Sequence, residues 1–222
     1  MSQLGYCFAT IIGRCIKHVT MRVHLIRPES AEREGPYLLA CTHLSFLEPF
    51  VLSAVVRRPI GWMARIEFYS NRFAAWLLNW VDAFGVRRFG VPVSAIRTSI
   101  NRLERGACIG ICPEGGVANG KNSVIRGGPI KRGVCLISYR TGAPILPCVL
   151  LGTEKLNEVG PWIPYKRGRL WIAFGPRLIY PPRDEPDRRR AREIQAAELS
   201  REFVALYDEM RQTWGITDSS VP

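Results

Sequence analysis

The chain has 222 residues, 47% hydrophobic and 23% charged, which fits one globular domain with room for a proper core. Its formal charge of +12 attracts polyanions, whether nucleic acid, an anionic bilayer, or acidic small substrates and carriers. Seven cysteines without a Cys-x-x-Cys pair argue against a zinc site and a disulfide framework, and favour a reducing cytoplasmic environment.

Residues 1–20 carry no cleavable signal pattern, and Arg14 and Lys17 interrupt their apolar stretch well short of the ~20 residues that span a bilayer. The period there is helical. Leu4, Phe8, Ile11, Ile12, Cys15, Ile16 and Val19 form one stripe, with Arg14, Lys17 and His18 largely off it. Such an amphipathic helix suits a membrane interface, its cations toward anionic headgroups, or packing on the domain's own core. The remainder, 21–222, reads as a single domain. His18 and His24 have no carboxylate at useful spacing and read as structural.

Residues 21–27 alternate, as a strand with one wetter face does, and 28–36 form a polar loop. The apolar run 38–41 reads as a buried strand. His43 and Glu48 follow it at once, and 50–56 supply a helix. A strand, a short polar loop and a helix is the layout of a site at the carboxyl end of a sheet strand. Histidine carries protons near neutral pH, and a carboxylate fixes its tautomer and stabilises its cation, so the pair reads as a base for a hydroxyl. The same residues also fit a capping box in which Glu48 returns to the Ser45 amide. Pro49 at the first helical position would instead make Glu48 the cap, a poor one.

Residues 59–64 are a short strand, and 68–81 an aromatic helix with Phe73, Trp76, Leu77 and Trp80 on one face, suited to core, headgroup boundary or acyl-chain wall. An amphipathic helix over 93–105 leads to a buried strand at 108–112. Pro113-Glu114-Gly115-Gly116 leaves that strand as a tight loop, whose glycines let backbone amides approach a phosphate or an oxyanion. Residues 119–128 read as a mobile basic segment facing phosphate, 131–140 as a helix, and 143–151 and 170–174 as strands. A long helix closes the chain at 187–214, with Leu199, Phe203, Leu206, Tyr207, Met210 and Trp214 at helical spacing and Arg188, Arg189, Arg190 and Arg192 crowding its start. Strands alternating with helices indicate an α/β fold, a largely parallel β-sheet flanked by helices. Cys41 and Cys112 border the two loops; buried thiols explain them better than a thioester-forming nucleophile.

The two loops together resemble the lysophosphatidic acid acyltransferase (1-acylglycerol-3-phosphate O-acyltransferase) family, which carries His, four residues, Asp, and later Phe-Pro-Glu-Gly-Thr-Arg. Residues 63–68, Met-Ala-Arg-Ile-Glu-Phe, are similar to its Ala-Lys-x-Glu-Leu segment. Gly85-Val86-Arg87-Arg88 resembles its second motif, Lys131-Arg132-Gly133 its Phe-Lys-x-Gly, and Pro144 to Pro147 its fourth motif. The likeness runs over about residues 20 to 150 in the family's order. It departs from the family at Glu48, where Asp is usual, and at Gly116-Val117, which replace Thr-Arg and remove a cation.

The resemblance implies a glycerolipid acyltransferase-like fold and acyl transfer from a thioester, of coenzyme A or acyl carrier protein, to a lysophospholipid hydroxyl. No cofactor or metal is implied. His43 and Glu48 would be catalytic, with Arg88, Glu114, Gly115, Gly116 and Lys131 on the substrate. Lys121, Arg126 or Lys131 would replace the missing cation. The expected partners are a lipid acceptor, an acyl donor and the inner face of an anionic membrane. Two alternatives stand beside this: another lipid, hydroxy or amino acceptor, and a non-catalytic basic module binding membrane or nucleic acid. No stacking motif, helix-turn-helix or zinc pattern supports a nucleic-acid reader.

Overall fold

The computed structural model describes residues 21–86, 93–118, 120–153 and 168–216. The helix expected over 1–20, and Arg88, lie outside the described residues. Among the described residues seven strands occur in chain order as β1 Met21–Ile26, β2 Leu38–Cys41, β3 Ile60–Arg65, β4 Phe84–Val86, β5 Cys108–Ile111, β6 Ile145–Leu151 and β7 Gly168–Phe174. Five α-helices accompany them among the described residues: α1 Glu48–Val55, α2 Arg72–Trp80, α3 Val93–Glu104, α4 Gly133–Thr141 and α5 Arg188–Trp214. The strands form one sheet in the order β1-β7-β6-β2-β5-β3-β4. Neighbours run parallel throughout except β6 and β7. β2 and β5 are therefore central neighbours, and the loops leaving their carboxyl ends lie side by side.

The pleat of β2 decides which helices cover it. Leu38 and Ala40 point to one face, where Leu103 of α3, Val134 and Ile137 of α4, and Leu199 and Phe203 of α5 pack. Leu39 and Cys41 point to the other, against Leu52 of α1, Val56, Tyr37 and Trp62. Burial on both faces explains why this strand is continuously apolar. On β5, Gly110 is required by that second face. A Cβ there would stand 2.3 Å from the Trp62 ring, whose indole N–H donates to Ser53 Oγ at 2.9 Å.

The closing helix follows its sequence pattern. Leu199, Phe203, Leu206, Tyr207 and Met210 are buried, and Trp214 packs partly against them. Asp187 caps its start by accepting the Arg189 amide at 2.8 Å. Two of the arginines there pair with carboxylates, Arg189 with Glu193 and Arg190 with Glu185. His24 packs its ring near Trp171 and Trp214, with centroids 6.2 Å and 5.9 Å away.

Four local expectations change. The 28–36 loop contains a 3-10 turn at Pro28–Glu32 that buries Ser30 and Ala31. The aromatic helix starts late: a 3-10 turn at Ile66–Ser70 precedes α2, and the Asn71 side chain accepts the Ala74 amide at 3.2 Å. Trp76 is exposed there, while the side chains of Phe73, Leu77 and Trp80 lie outside the described residues. Residues 120–128 are anchored rather than loose, with 3-10 turns at Gly120–Asn122 and Val124–Arg126 and with Ser123, Val124 and Ile125 buried. The short strand β4 adds an edge beside β3. Among the described residues no helix is long and apolar enough to cross a membrane.

Candidate active site

Thr42 marks where β2 stops. Its amide still donates to the Cys148 carbonyl at 3.2 Å, and its hydroxyl then takes over the pairing with β6. That hydroxyl donates to the Leu150 carbonyl at 3.0 Å and accepts the Leu150 amide at 2.9 Å. The backbone is thereby free to turn, and His43 emerges at the sheet's edge.

Both sides of the His43 peptide are held. Its amide donates to Glu114 Oε2 at 2.6 Å, and its carbonyl accepts the Ala118 amide at 2.9 Å. These two bonds tie the β2 loop to the β5 loop. The ring's Nδ1 lies 3.1 Å from Glu48 Oε2. The other Glu48 oxygen accepts the Ser45 amide at 2.8 Å and the Thr153 hydroxyl at 2.7 Å. Catalytic and capping geometries thus coexist on one carboxylate. Glu48 is the first residue of α1, after Leu47, whose amide is held by Ser45 Oγ at 2.9 Å. Pro49 stands second, one position later than the sequence implied.

A carboxylate only accepts, so the contact assigns the proton of a neutral imidazole to Nδ1 and leaves Nε2 as the basic atom. The Glu48 side chain is 0% exposed and the His43 side chain 21%, so the orienting group is sealed while the ring keeps an open edge. Burial opposes the imidazolium. The Cys112 sulfur and the Glu48 carboxylate outweigh it and raise the His43 pKa to about 10. In turn, a hydrogen bond from Cys41 and the nearby His43 draw the Cys112 thiol down to about 7, against burial.

Pro113 and Glu114 form a tight turn closed by the Gly115 amide donating to the Cys112 carbonyl at 3.0 Å. That donor is therefore spent within the loop; the Gly116 amide has no partner among the described residues. Gly115 has a φ of +75°, and a Cβ on it would meet Lys131 Cγ at 3.1 Å. The Lys131 amide donates to the Pro113 carbonyl at 2.7 Å, which lays this exposed lysine along the loop.

Glu114 faces inward. Besides the His43 amide, it accepts the Ser123 hydroxyl at 2.9 Å and the Val124 amide at 3.0 Å, so both of its oxygens serve the protein. These bonds brace the β5 loop against the β2 loop. Burial raises its pKa, against the hydrogen bonds from Val124, Ser123 and His43. The structure thus gathers His43, Glu48, Glu114, Gly115, Gly116 and Lys131 around two adjoining loops. Thr153, Ser123 and Thr42 were not singled out from the sequence, where nothing but their positions after or beside strands points to them. Among the described residues no cluster of His, Cys, Asp and Glu could hold a metal ion.

Several known proteins are similar to this chain. A 1-acyl-sn-glycerol-3-phosphate acyltransferase of Bacillus subtilis (strain 168) is 26% identical over 154 residues, 69% of this chain and 72% of that protein. The chloroplastic 1-acyl-sn-glycerol-3-phosphate acyltransferase BAT2 of Brassica napus is 24% identical over 129 residues, 57% of this chain and 36% of that one. The crystal structure of the 1-acyl-sn-glycerophosphate (LPA) acyltransferase PlsC from Thermotoga maritima superimposes with a TM-score of 0.66, covering 90% of this chain and 79% of that one at 18% identity. At that identity the likeness speaks for the fold. The sequence model of the family described as Acyltransferase matches residues 22–151, which hold β2, β5 and both of their loops. This protein is a member of that family, an enzyme that moves an acyl group from a donor to an acceptor.

Proposed function

We propose that the chain transfers a fatty acyl group from an acyl thioester to the hydroxyl of a lysophosphatidate, with His43 as general base. Nε2 takes the hydroxyl proton as the acceptor oxygen attacks the thioester carbonyl. The C–O bond forms, the C–S bond of the collapsing tetrahedral intermediate breaks, and the imidazolium returns the proton to the departing thiolate. Glu48 holds Nδ1–H and stabilises the cation that forms. The Gly116 amide is the candidate donor to the oxyanion, and Lys131 and Arg88 the candidate ligands of the acceptor phosphate. The single observation behind this reading is the 3.1 Å contact between Nδ1 and a wholly buried carboxylate.

The donor is a thioester of coenzyme A or of an acidic carrier protein, which a chain of charge +12 would attract. The enzyme works on the inner face of an anionic membrane. Phe46, in the His43 loop, and Ile66, Phe68 and Trp76 are exposed large hydrophobics that suit such a surface. Supplying purified protein with an acyl thioester and lysophosphatidate should yield phosphatidate and free thiol. Little product is expected from the same acceptor without its phosphate.

One observation favours a second reading. Val117 is half exposed where the family carries arginine, so the acceptor could be one with less anionic charge. Equal turnover of phosphorylated and dephosphorylated acceptors would select that alternative.

A further inference from the structure

The ends of β2 and β5 carry a pair of thiols that the proposed chemistry does not use. Ala40 of β2 is in register with Ile111 of β5. Cys41 ends β2 and Cys112 directly follows β5, and parallel neighbours sit about 4.8 Å apart, within the ~4.4–6.8 Å Cα separation a disulfide accepts. Their sulfurs are 3.5 Å apart and already in contact. From this geometry we infer that Cys41 and Cys112 form a reversible oxidation site, at which a peroxide converts the two thiols to a disulfide and switches acyl transfer off.

Two features single out Cys112 among the described cysteines. Cys112 is partly exposed, whereas Cys41, Cys108, Cys135 and Cys148 are buried. Cys112 lies against the His43 ring and a neighbouring thiol that draw its pKa down, so it supplies the nucleophilic thiolate. Cys41 and Cys148 are held well up as thiols, Cys148 by burial first and Cys41 by its bond to Cys112 first. Cys41 is thus the resolving thiol. Cys148 also pairs in register with Cys41 across β6, but it is wholly buried and no oxidant reaches it.

The chemistry balances with hydrogen peroxide as oxidant. The Cys112 thiolate attacks one peroxide oxygen: an S–O bond forms, the O–O bond breaks and hydroxide leaves, taking up a proton as water. The Cys41 thiol then attacks the Cys112 sulfur. The S–S bond forms, the S–O bond breaks, and the thiol proton leaves with the hydroxyl as a second water. The two thiols have together given up two electrons. A dithiol reductant reverses the step by exchange.

The consequence for acyl transfer rests on the function proposed above. Cys112 is two residues from Glu114, whose carboxylate holds the His43 amide, and its carbonyl closes the Gly115 turn. Drawing the sulfurs from 3.5 Å to a bonded ~2.05 Å pulls Cys112 toward β2, off the imidazole and out of that turn.

The test is peroxide titration of the full-length, folded protein, followed by alkylation, non-reducing proteolysis and tandem mass spectrometry, with thioester turnover measured in parallel. The expected result is one dominant cross-link, between the peptide carrying Cys41 and the bond-assigned Cys112. Turnover should fall more than about tenfold as it accumulates and return with dithiothreitol. Cys41→Ala and Cys41→Ser should give no such cross-link under the same peroxide titration. Cross-links to Cys108 or Cys148, or peroxide consumption without any cross-link, would overturn the site. Full turnover by the cross-linked protein would overturn the switch. Reduced protein that cross-links as expected but never turns over thioester would count against the acyltransfer reading alone.

Discussion

The two loops at the centre of the sheet are built differently. The loop after β2 is held at nearly every polar atom: Thr42 on β6, the His43 peptide on Glu114 and Ala118, Glu48 on Ser45 and Thr153. The loop after β5 braces its inner edge in the same way but leaves its outer edge to glycine, an exposed valine and an exposed lysine. Proton transfer demands placement to within a fraction of an ångström, so the base stands on a sealed network. Anion recognition by a lysine tolerates looser geometry.

Substitutions should sharpen that contrast. The largest effect after loss of the base itself belongs to Glu48→Ala, which frees Nδ1 and strips the stabilising charge. It should cut kcat on the order of 10²-fold with little change in KM. Glu114→Ala leaves three donors without their acceptor, each costing about 1–3 kcal/mol if it stays buried; a urea midpoint that does not move would refute the bracing role.

The pH–rate profile comes next. Only neutral His43 accepts a proton, and Cys112 and Glu48 raise its pKa to about 10, so kcat/KM should climb as pH rises past the ordinary histidine range. Glu114, on the peptide side of His43, and Cys41, behind Cys112, complete the titratable surroundings. Cys112→Ser removes the sulfur that does most to raise the His43 pKa and should shift that acid limb to lower pH, whereas an unmoved limb breaks the assignment. Thr153→Val removes one hydrogen bond to Glu48 and should lower kcat about fivefold. The smallest effect is on the outer edge. Lys131→Met should raise KM for lysophosphatidate about two- to fivefold, as an exposed charge contact does, and leave kcat alone.

Much of this was legible in the residues. The apolar run 38–41 followed by His43 and Glu48 marked β2 and its loop, because a strand buried on both faces is continuously apolar and a site at its end must turn polar abruptly. The 3.6-residue spacing of Leu199, Phe203, Leu206 and Met210 gave the closing helix. What failed depended on contacts across the sheet. Thr153 meets Glu48 only because β6 lies beside β2, 105 residues later in the chain. Residues 120–128 looked loose because their glycines and cations are local signals. Their anchoring comes from Ser123 and Val124 reaching the buried Glu114. The bracing bonds of Glu114 were not legible either, because a sequence does not say which way a carboxylate points.

The central claim is that one imidazole, oriented by one buried carboxylate, takes the acceptor's proton. Steady-state thioester turnover with lysophosphatidate, wild type against His43→Ala at matched folding by circular dichroism, tests it most directly. A fall of about 10²-fold or more in kcat is predicted; a variant that keeps more than about a tenth of wild-type turnover would contradict it.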